Sequence, residues 1–347
     1  KQKERAVMRI GKNIRYFRSQ KGVSQQWLAD AIGVSKMSIS YFERDKRRPD
    51  IETVKRICSA LNVSLGKFMA FSDSITLSDG SFQKSDELSA AQKNSILAQI
   101  RYSAQRYCDA CACANVDCSE YALPKDKVTM HDSAADAAAY MRETLDLPVS
   151  GPAGNLTQIL ENKGICVVMV KQEDSGSSIK GFSGYHAVSN KGLPVIAFNE
   201  GLTYGCLRMT LAREVARLLF SNANKQQISN AAGHFLLPGS DLVREIGEKR
   251  PNISPKEIEL VGEKYGVSGQ CVVLRAKEEG IITRETYSRI QNGQLYPPDV
   301  YKKDELPVRI LQLVCRAYTD NSISISKAAE LLNTDVSYAL ELCEGKE

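Results

Sequence analysis

A pair of short helical patterns joined by a glycine lies in the segment SQQWLADAIGVSKMSISYFERDKRRP at residues 24–49. Ser24 and Ser35 each stand at the start of one pattern, where a hydroxyl side chain caps the free N–H groups of a helix. Gly33 lies between the patterns and can adopt the positive φ of a tight turn. Two helices joined this closely are typical of a helix-turn-helix. The apolar positions that recur at helical spacing are Leu28, Ala29, Ile32, Ile39 and Phe42.

The charge of the chain is distributed unevenly. Residues 1–70 hold 16 Lys and Arg against 6 Asp and Glu, whereas the remainder holds 30 basic and 35 acidic residues. The net charge of +5 therefore conceals a basic N-terminal domain joined to a weakly acidic body. A basic domain of this kind is the electrostatic footprint of a nucleic-acid-binding protein. The length of 347 residues predicts two or three globular domains.

The pattern S-Q-x-x-L-A-x-x-x-G-V-S-x-x-x-I-S-x-x-E-R, followed by basic residues and Pro, resembles the phage repressor/Cro-type (XRE) family of DNA-binding domains. The resemblance covers about residues 8–71 and implies an all-α DNA-binding domain at residues 1–71. In that family the second helix of the motif enters the major groove and contacts base edges. The implied base-reading residues are Lys36, Met37, Ser40 and Tyr41, with Ser35 at the start of the helix. The implied phosphate contacts are Gln25, Arg44, Lys46, Arg47 and Arg48.

The same resemblance implies a partner and an assembly. Repressors of this type bind double-stranded DNA as dimers, and the two-fold axis of the dimer matches a near-palindromic operator. We therefore expect a homodimer on such an operator. The residues leave one alternative open, in which the helical domain binds a protein instead of DNA.

Residues 72–93, SDSITLSDGSFQKSDELSAAQK, predict a linker that becomes helical near Ser89. Residues 94–130 then predict a helical connector that carries the cysteine cluster CDACACANVDC. Four thiolates suit tetrahedral zinc or an iron–sulfur cluster, but this spacing is shorter than that of a usual zinc ribbon. A cysteine-rich helix end packed against the body is the preferred interpretation, and no cofactor is expected. The four candidate ligands are Cys108, Cys111, Cys113 and Cys118.

The next segment alternates helical and strand patterns. DSAADAAAYMRETLDLP at 132–148 and NLTQILEN after it predict helices. GICVVMV, GFSGYHAVS and PVIAFN predict three strands, since they are rich in β-branched and aromatic residues and are separated by Gly and Ser. Residues 206–221 and NKQQISNAAGHFLLPGSDL predict two further helices. We therefore expect an α+β domain, with a small sheet and helices.

This order of elements resembles the ImmA/IrrE family of small zinc peptidases over about residues 131–245, which implies a zincin-like domain at 131–250. The specific matches are T-L-A-x-E-x-A-x-L-L at 210–219 and A-A-x-x-F-L-L-P at 231–238. Where the family has the two zinc-binding histidines of an HExxH motif, this chain has Arg213 and Arg217, which have no lone pair for zinc. Glu214 keeps the position of the general base, and the third ligand position falls near the neutral Gln226 or Gln227. The resemblance thus implies a degenerate metal site with no catalytic residues.

Two interpretations of these arginines stay open. In the first, Glu214 pairs with Arg217 three residues later, and salt bridges fill the former metal site. In the second, Arg208, Arg213 and Arg217 form a pocket for a small anionic ligand. The C-terminal residues 251–347 show two more helical pairs, and their lack of basic excess favours dimerisation or domain packing over a second DNA reader.

The sequence predicts a multidomain protein with an all-α helix-turn-helix domain, an α+β zincin-like domain and a C-terminal helical region. The predicted function is sequence-specific transcriptional regulation by a repressor of mobile-element or phage type. Its inactive peptidase-like domain would sense a ligand or protein partner, or hold a dimer. Two alternatives are an active zinc metallopeptidase or antirepressor with a DNA-binding domain, and an antitoxin-like interaction module. No export signal or membrane-spanning run is evident, so we expect a cytoplasmic protein without a membrane partner.

Overall fold

The computed structural model describes residues 10–63, 65, 68, 75–82, 88–118, 123–124, 126–171, 181–298 and 305–345. The strands are β1 (Leu77–Phe82), β2 (Val128–Thr129), β3 (Cys166–Val170), β4 (Gly184–Ser189), β5 (Pro194–Asn199) and β6 (Phe220–Ser221). The first helices are α1 (Ile10–Gln20), α2 (Gln25–Ile32), α3 (Lys36–Glu43), α4 (Ile51–Leu61), α5 (Ala90–Cys113), α6 (Ala134–Thr144), α7 (Leu156–Asn162) and α8 (Tyr204–Leu219). The remaining helices are α9 (Lys225–Leu236), α10 (Gly239–Ile246), α11 (Pro255–Tyr265), α12 (Gly269–Glu278), α13 (Arg284–Asn292), α14 (Arg309–Thr319), α15 (Ile325–Leu332) and α16 (Val336–Glu344).

The N-terminal helices form the predicted helix-turn-helix. The hydroxyl of Ser24 accepts a hydrogen bond from the backbone N–H of Trp27 at the start of α2, and Ser35 caps α3 in the same way. Gly33 ends α2 with a φ of 68°, a left-handed conformation that glycine adopts without a steric penalty. The apolar positions predicted from the spacing are buried in the core of this domain, which confirms the predicted packing: Leu28, Ala29, Ile32, Ile39 and Phe42.

A four-stranded mixed sheet forms the centre of the body, with strand order β1-β4-β5-β3. Strands β3 and β5 are parallel, and the other neighbours are antiparallel. Side chains alternate between the two faces of a strand, and helices cover both faces of this sheet. Ile196 and Phe198 of β5 pack with α8 and α9 on one face, and Val195 and Ala197 pack against α5 on the other. The three strands and the flanking helices predicted for this region are therefore confirmed.

The interpretation of residues 72–93 as a linker is wrong for its middle part. Residues 77–82 form β1, which pairs antiparallel with β4 at the edge of the sheet, from Leu77 opposite Ser189 to Phe82 opposite Tyr185. An edge strand with a solvated face tolerates polar residues, which is why the composition of LSDGSF concealed a strand. Residues 72–74 and 83–87 of the predicted linker lie outside the described residues.

Helix α5 is a core element of the body, although the sequence predicted a connector at residues 94–130. It begins after Ser89, as predicted, with a capping box formed by Ser89 and Gln92. Ile100 and Ala104 lie in the same core as strand β3, while Ala98 and Tyr102 pack in the core of the N-terminal domain. At the end of the predicted connector, β2 pairs with β6. No helix in the described ranges is long and apolar enough to cross a membrane.

The C-terminal helices pack on the body in two separate places. Ile258, Val261 and Val272, from α11 and α12, extend the core that contains α8 and α9. Leu313, Val314 and Leu331, from α14 and α15, lie instead in the core around α5. The two predicted helical pairs of residues 251–347 therefore cover opposite sides of the sheet. Domain packing, one of the two roles expected for them, is what the structure displays.

Candidate functional site

Helix α3 presents one apolar and one solvent-exposed face. Ile39 and Phe42 are buried against the rest of the domain. On the outer face, the side chain of Met37 is 62% exposed and that of Tyr41 is 41% exposed. Lys36 is also exposed, and Ser40 is half-buried beside it. The structure therefore brings the four predicted base-reading residues to the outward side of one helix, where a large exposed methionine has no role in the core.

A cluster of exposed cations follows this helix. The loop after α3 is fixed by the backbone N–H of Gly11, which donates to the carboxylate of Asp45 at 3.0 Å. Asp45 has a φ of 52°, which turns the chain so that the basic residues after it face solvent. Cations placed beside a helix in this way can bind the phosphates that flank a groove. The exposed residues are Arg44, Lys46, Arg47 and Arg48.

Gln25, at the start of α2, is positioned by a buried carboxylate. Its side-chain amide donates to Glu43 Oε2 at 2.7 Å. The guanidinium of Arg18, on α1, binds both oxygens of Glu43, at 2.5 and 3.1 Å. Glu43 is only 9% exposed, so a bidentate charged pair in this position ties α1, α2 and α3 together. The role of Gln25 was predicted from the sequence, whereas those of Arg18 and Glu43 were not. The E-R pair of the quoted motif, Glu43 and Arg44 at the end of α3, was the sequence feature that could have drawn attention to Glu43.

Glu214, which the peptidase resemblance places at the position of a general base, is fully buried. Its Oε1 accepts a hydrogen bond from Arg217 at 3.1 Å, which confirms the pair predicted three residues apart. Its Oε2 lies 2.6 Å from Nδ1 of His186 on β4. This contact was not predicted, because the two residues belong to different elements that are distant in the chain. Gly184 permits this approach, since a Cβ there would lie 2.5 Å from Thr210 of α8. The cluster of His186, Glu214 and Arg217 joins α8 to the sheet.

The three arginines of the predicted anion pocket do not share a site. Arg208 is buried on another side of α8, where it pairs with the carboxylate of Glu305 and donates to the carbonyl of Gly154. Positions 208 and 213 differ by about 140° around a helix, so the pocket hypothesis is wrong for Arg208. Burial and the charge of Arg217 both lower the pKa of Arg213. The Nε of Arg213 is buried without a partner in the part of the chain that the structure describes.

The residues that the resemblance would place at a zinc site do not fit a zinc ion. Arg213 and Arg217 offer cationic donors in place of two lone pairs. Gln226 donates to Asn230 at 2.7 Å, and Gln227 takes part in the capping box of α9 with Asn224. These two amides are thus engaged in their own helix. No catalytic step through a metal follows from this arrangement.

The four cysteines all pack against the core around α5, but only two of them are fully buried. Cys108 and Cys111 are buried in the core around α5, which agrees with the packed helix end that we preferred. Burial raises the pKa of Cys111 to about 12 and also raises that of Cys108. The Sγ atoms of Cys108 and Cys118 lie 3.1 Å apart. Cys113 faces away from Cys111, because residues two apart lie on opposite sides of a helix. The four thiols therefore do not meet at one point among the described residues. Among the described residues, no three His, Cys, Asp or Glu side chains form a metal-binding group.

Comparison with known proteins covers the N-terminal domain. Residues 14–68 match the family model described as Helix-turn-helix. Over 55 residues, or 16% of this chain, the sequence is 33% identical to the SPbeta prophage-derived uncharacterized HTH-type transcriptional regulator YonR of Bacillus subtilis (strain 168). This match covers 51% of the relative, so the chain spans about half the length of the curated relative it matches. The N-terminal part of the chain is thus a helix-turn-helix domain of XRE type, and the peptidase resemblance stays a prediction.

The buried cluster predicts a specific loss of stability. Replacing Glu214 with Gln leaves His186 and Arg217 without their charged acceptor, so the free energy of unfolding should fall by about 1–3 kcal/mol. Thermal unfolding of the purified chain measures this change. The matched control is Glu263→Gln, at an exposed position of α11, which should change the stability by less than about 0.5 kcal/mol. Equal effects of the two substitutions would contradict a structural role for Glu214.

Proposed function

We propose that this protein is a sequence-specific DNA-binding transcriptional regulator, acting as a repressor of phage or mobile-element type. The observation that carries the proposal is the exposed face of α3 beside four exposed cations. An α-helix fits the major groove, where each base pair presents a distinct pattern of donors and acceptors. The matched relative is named as a prophage-derived HTH-type transcriptional regulator, which supports the same class.

The roles of the individual residues follow from their chemistry. Lys36 donates to the guanine acceptors O6 and N7, and Met37 and Tyr41 contact the thymine methyl group. Ser40 can donate to or accept from a base edge. Gln25 binds a backbone phosphate, and its orientation is set in advance by Glu43, which lowers the entropy that binding costs. The protein binds as a homodimer, whose two copies of α3 contact the half-sites of a near-palindromic operator.

The body is proposed to be a catalytically inactive relative of the ImmA/IrrE peptidases that transmits a signal or supports the dimer. The support is chemical. A base such as Glu214 needs a metal-activated water to cleave a peptide bond, and here it is held by His186 and Arg217 in a buried ion-pair cluster. The order of helices and strands from α6 to α9 agrees with the resemblance.

DNA recognition predicts different effects for two kinds of substitution. Lys36→Ala should weaken binding to the operator by about 1–3 kcal/mol and relax specificity at one base pair. Arg47→Ala should weaken binding to all sequences and reduce the salt slope by about 1, because one phosphate contact is lost. Fluorescence anisotropy with DNA from upstream of the protein's own gene, over a range of salt concentrations, measures both.

The matched control for this experiment is Arg284→Ala, at an exposed position of α13 on the body. This variant should bind the operator as the unchanged protein does. If the protein binds no DNA selectively, or if all three variants have the same effect, the proposed function is wrong and the protein-binding alternative gains support.

If the body has no zinc site, the purified protein should contain no stoichiometric metal. Elemental analysis of the untagged chain, purified anaerobically, should find no stoichiometric zinc either in the unchanged protein or in Cys111→Ser. One zinc ion per chain in both proteins would contradict the degenerate site, because only a site outside the cysteine cluster would survive that substitution. Zinc or iron that is lost in Cys111→Ser would instead contradict our assignment of the cysteines to the core.

A further inference from the structure

A cavity of about 590 Å³ lies between α1 of the DNA-binding domain and α5 of the body, and we call it the α1–α5 cavity. Four basic residues line it, three from α1 and one from α5. None of the described residues that line it carries a carboxylate. Ligand sites commonly measure ~300–1,000 Å³, so this space can hold a nucleotide-sized molecule. The basic lining residues are Lys12, Arg15, Arg18 and Arg101.

We propose that the α1–α5 cavity binds a small phosphate-bearing ligand of nucleotide size, and that this ligand weakens DNA binding. Guanidinium groups bind phosphate through paired hydrogen bonds. Lys12, Arg15 and Arg101 give the lining a positive charge that attracts a multiply charged anion, while Arg18 is shared with Glu43. Val23 and Leu97 supply apolar wall for the uncharged part of the ligand. The proposed sensor thus lies between the DNA-binding domain and the body, and not at the arginines of α8.

Arg101 supplies an independent indication of a ligand. Its Nε is buried and has no hydrogen-bond partner within the described ranges. A buried donor without an acceptor costs free energy, and the oxygen of a bound phosphate would remove that cost. Arg101 belongs to α5, outside the predicted DNA contacts, so it can be changed without altering the DNA-binding surface.

The connection to DNA binding passes through Arg18 and rests on the proposed function. Arg18 lines the cavity, and it also holds Glu43 and the carbonyl of Val23, the latter at 2.8 Å. Glu43 in turn orients Gln25. A phosphate that binds Arg18 competes with Glu43, loosens the carboxylate that orients Gln25 and adds negative charge near the start of α2. Each of these changes lowers the affinity for DNA.

Isothermal titration calorimetry with ATP, without divalent cations and at constant ionic strength, tests the binding site on the full chain. The unchanged protein should bind ATP, and Arg101→Gln should weaken binding by at least about tenfold, the effect of losing one charged hydrogen bond. Arg316→Gln, at an exposed position of α14, is the matched control and should bind as the unchanged protein does. No binding, or an equal effect of the two substitutions, overturns the proposed site.

Anisotropy with operator DNA then tests the regulation. Saturating ATP should weaken DNA binding by about tenfold in the unchanged protein, within the usual range of coupling between sites, and should have no effect in Arg101→Gln. Unaltered DNA affinity in the presence of bound ATP overturns the coupling. Weaker DNA binding by Arg101→Gln without ATP would show that the cavity binds the DNA backbone, and would overturn the ligand site. If only DNA binding fails, the proposed function is wrong. The calorimetry still tests, independently of DNA, whether the α1–α5 cavity binds ATP.

Discussion

Helix α5 is buried on several sides, and both the body and the DNA-binding domain pack against it. One side packs against the sheet and α14, and another packs against the core of the DNA-binding domain. The hydroxyl of Tyr16 on α1 donates to the carbonyl of Ala98 at 3.1 Å, and Arg106 donates to the carbonyl of Leu331 at 2.9 Å. The DNA-binding domain, the sheet and the C-terminal helices therefore all contact the same helix.

The parts of the fold that depend on local interactions could be predicted from the sequence. Ser24, Gly33 and Ser35 each act within a few residues of their own position, so capping and turn preferences were enough to place α2 and α3. The edge strand β1 and the role of α5 depend on partners more than 50 residues away in the chain, such as Val188 opposite Ser78. Composition and spacing contain no direct information about such pairings, and here they indicated a linker and a connector.

The same division holds for the candidate sites. The pair of Glu214 and Arg217 lies within one helical turn and was predicted, whereas His186 reaches Glu214 from a different strand. Arg208 was placed in an anion pocket because it shares a helix with Arg213, but Glu305, distant in sequence, binds it on another side. The basic joint between α1 and α5 could not be predicted at all, because Arg18 and Arg101 meet only in the folded chain.

We expect α3 and the start of α2 to contact DNA, and the body to make no contact with it. Amide hydrogen exchange of the full chain, with and without DNA from upstream of its own gene, distinguishes the two surfaces. DNA should slow exchange around Gln25, along α3 and in the basic loop after it. Exchange in α8 and α13 should remain unchanged. Protection confined to the body, with none in α3, would show that α3 is not the DNA-binding surface.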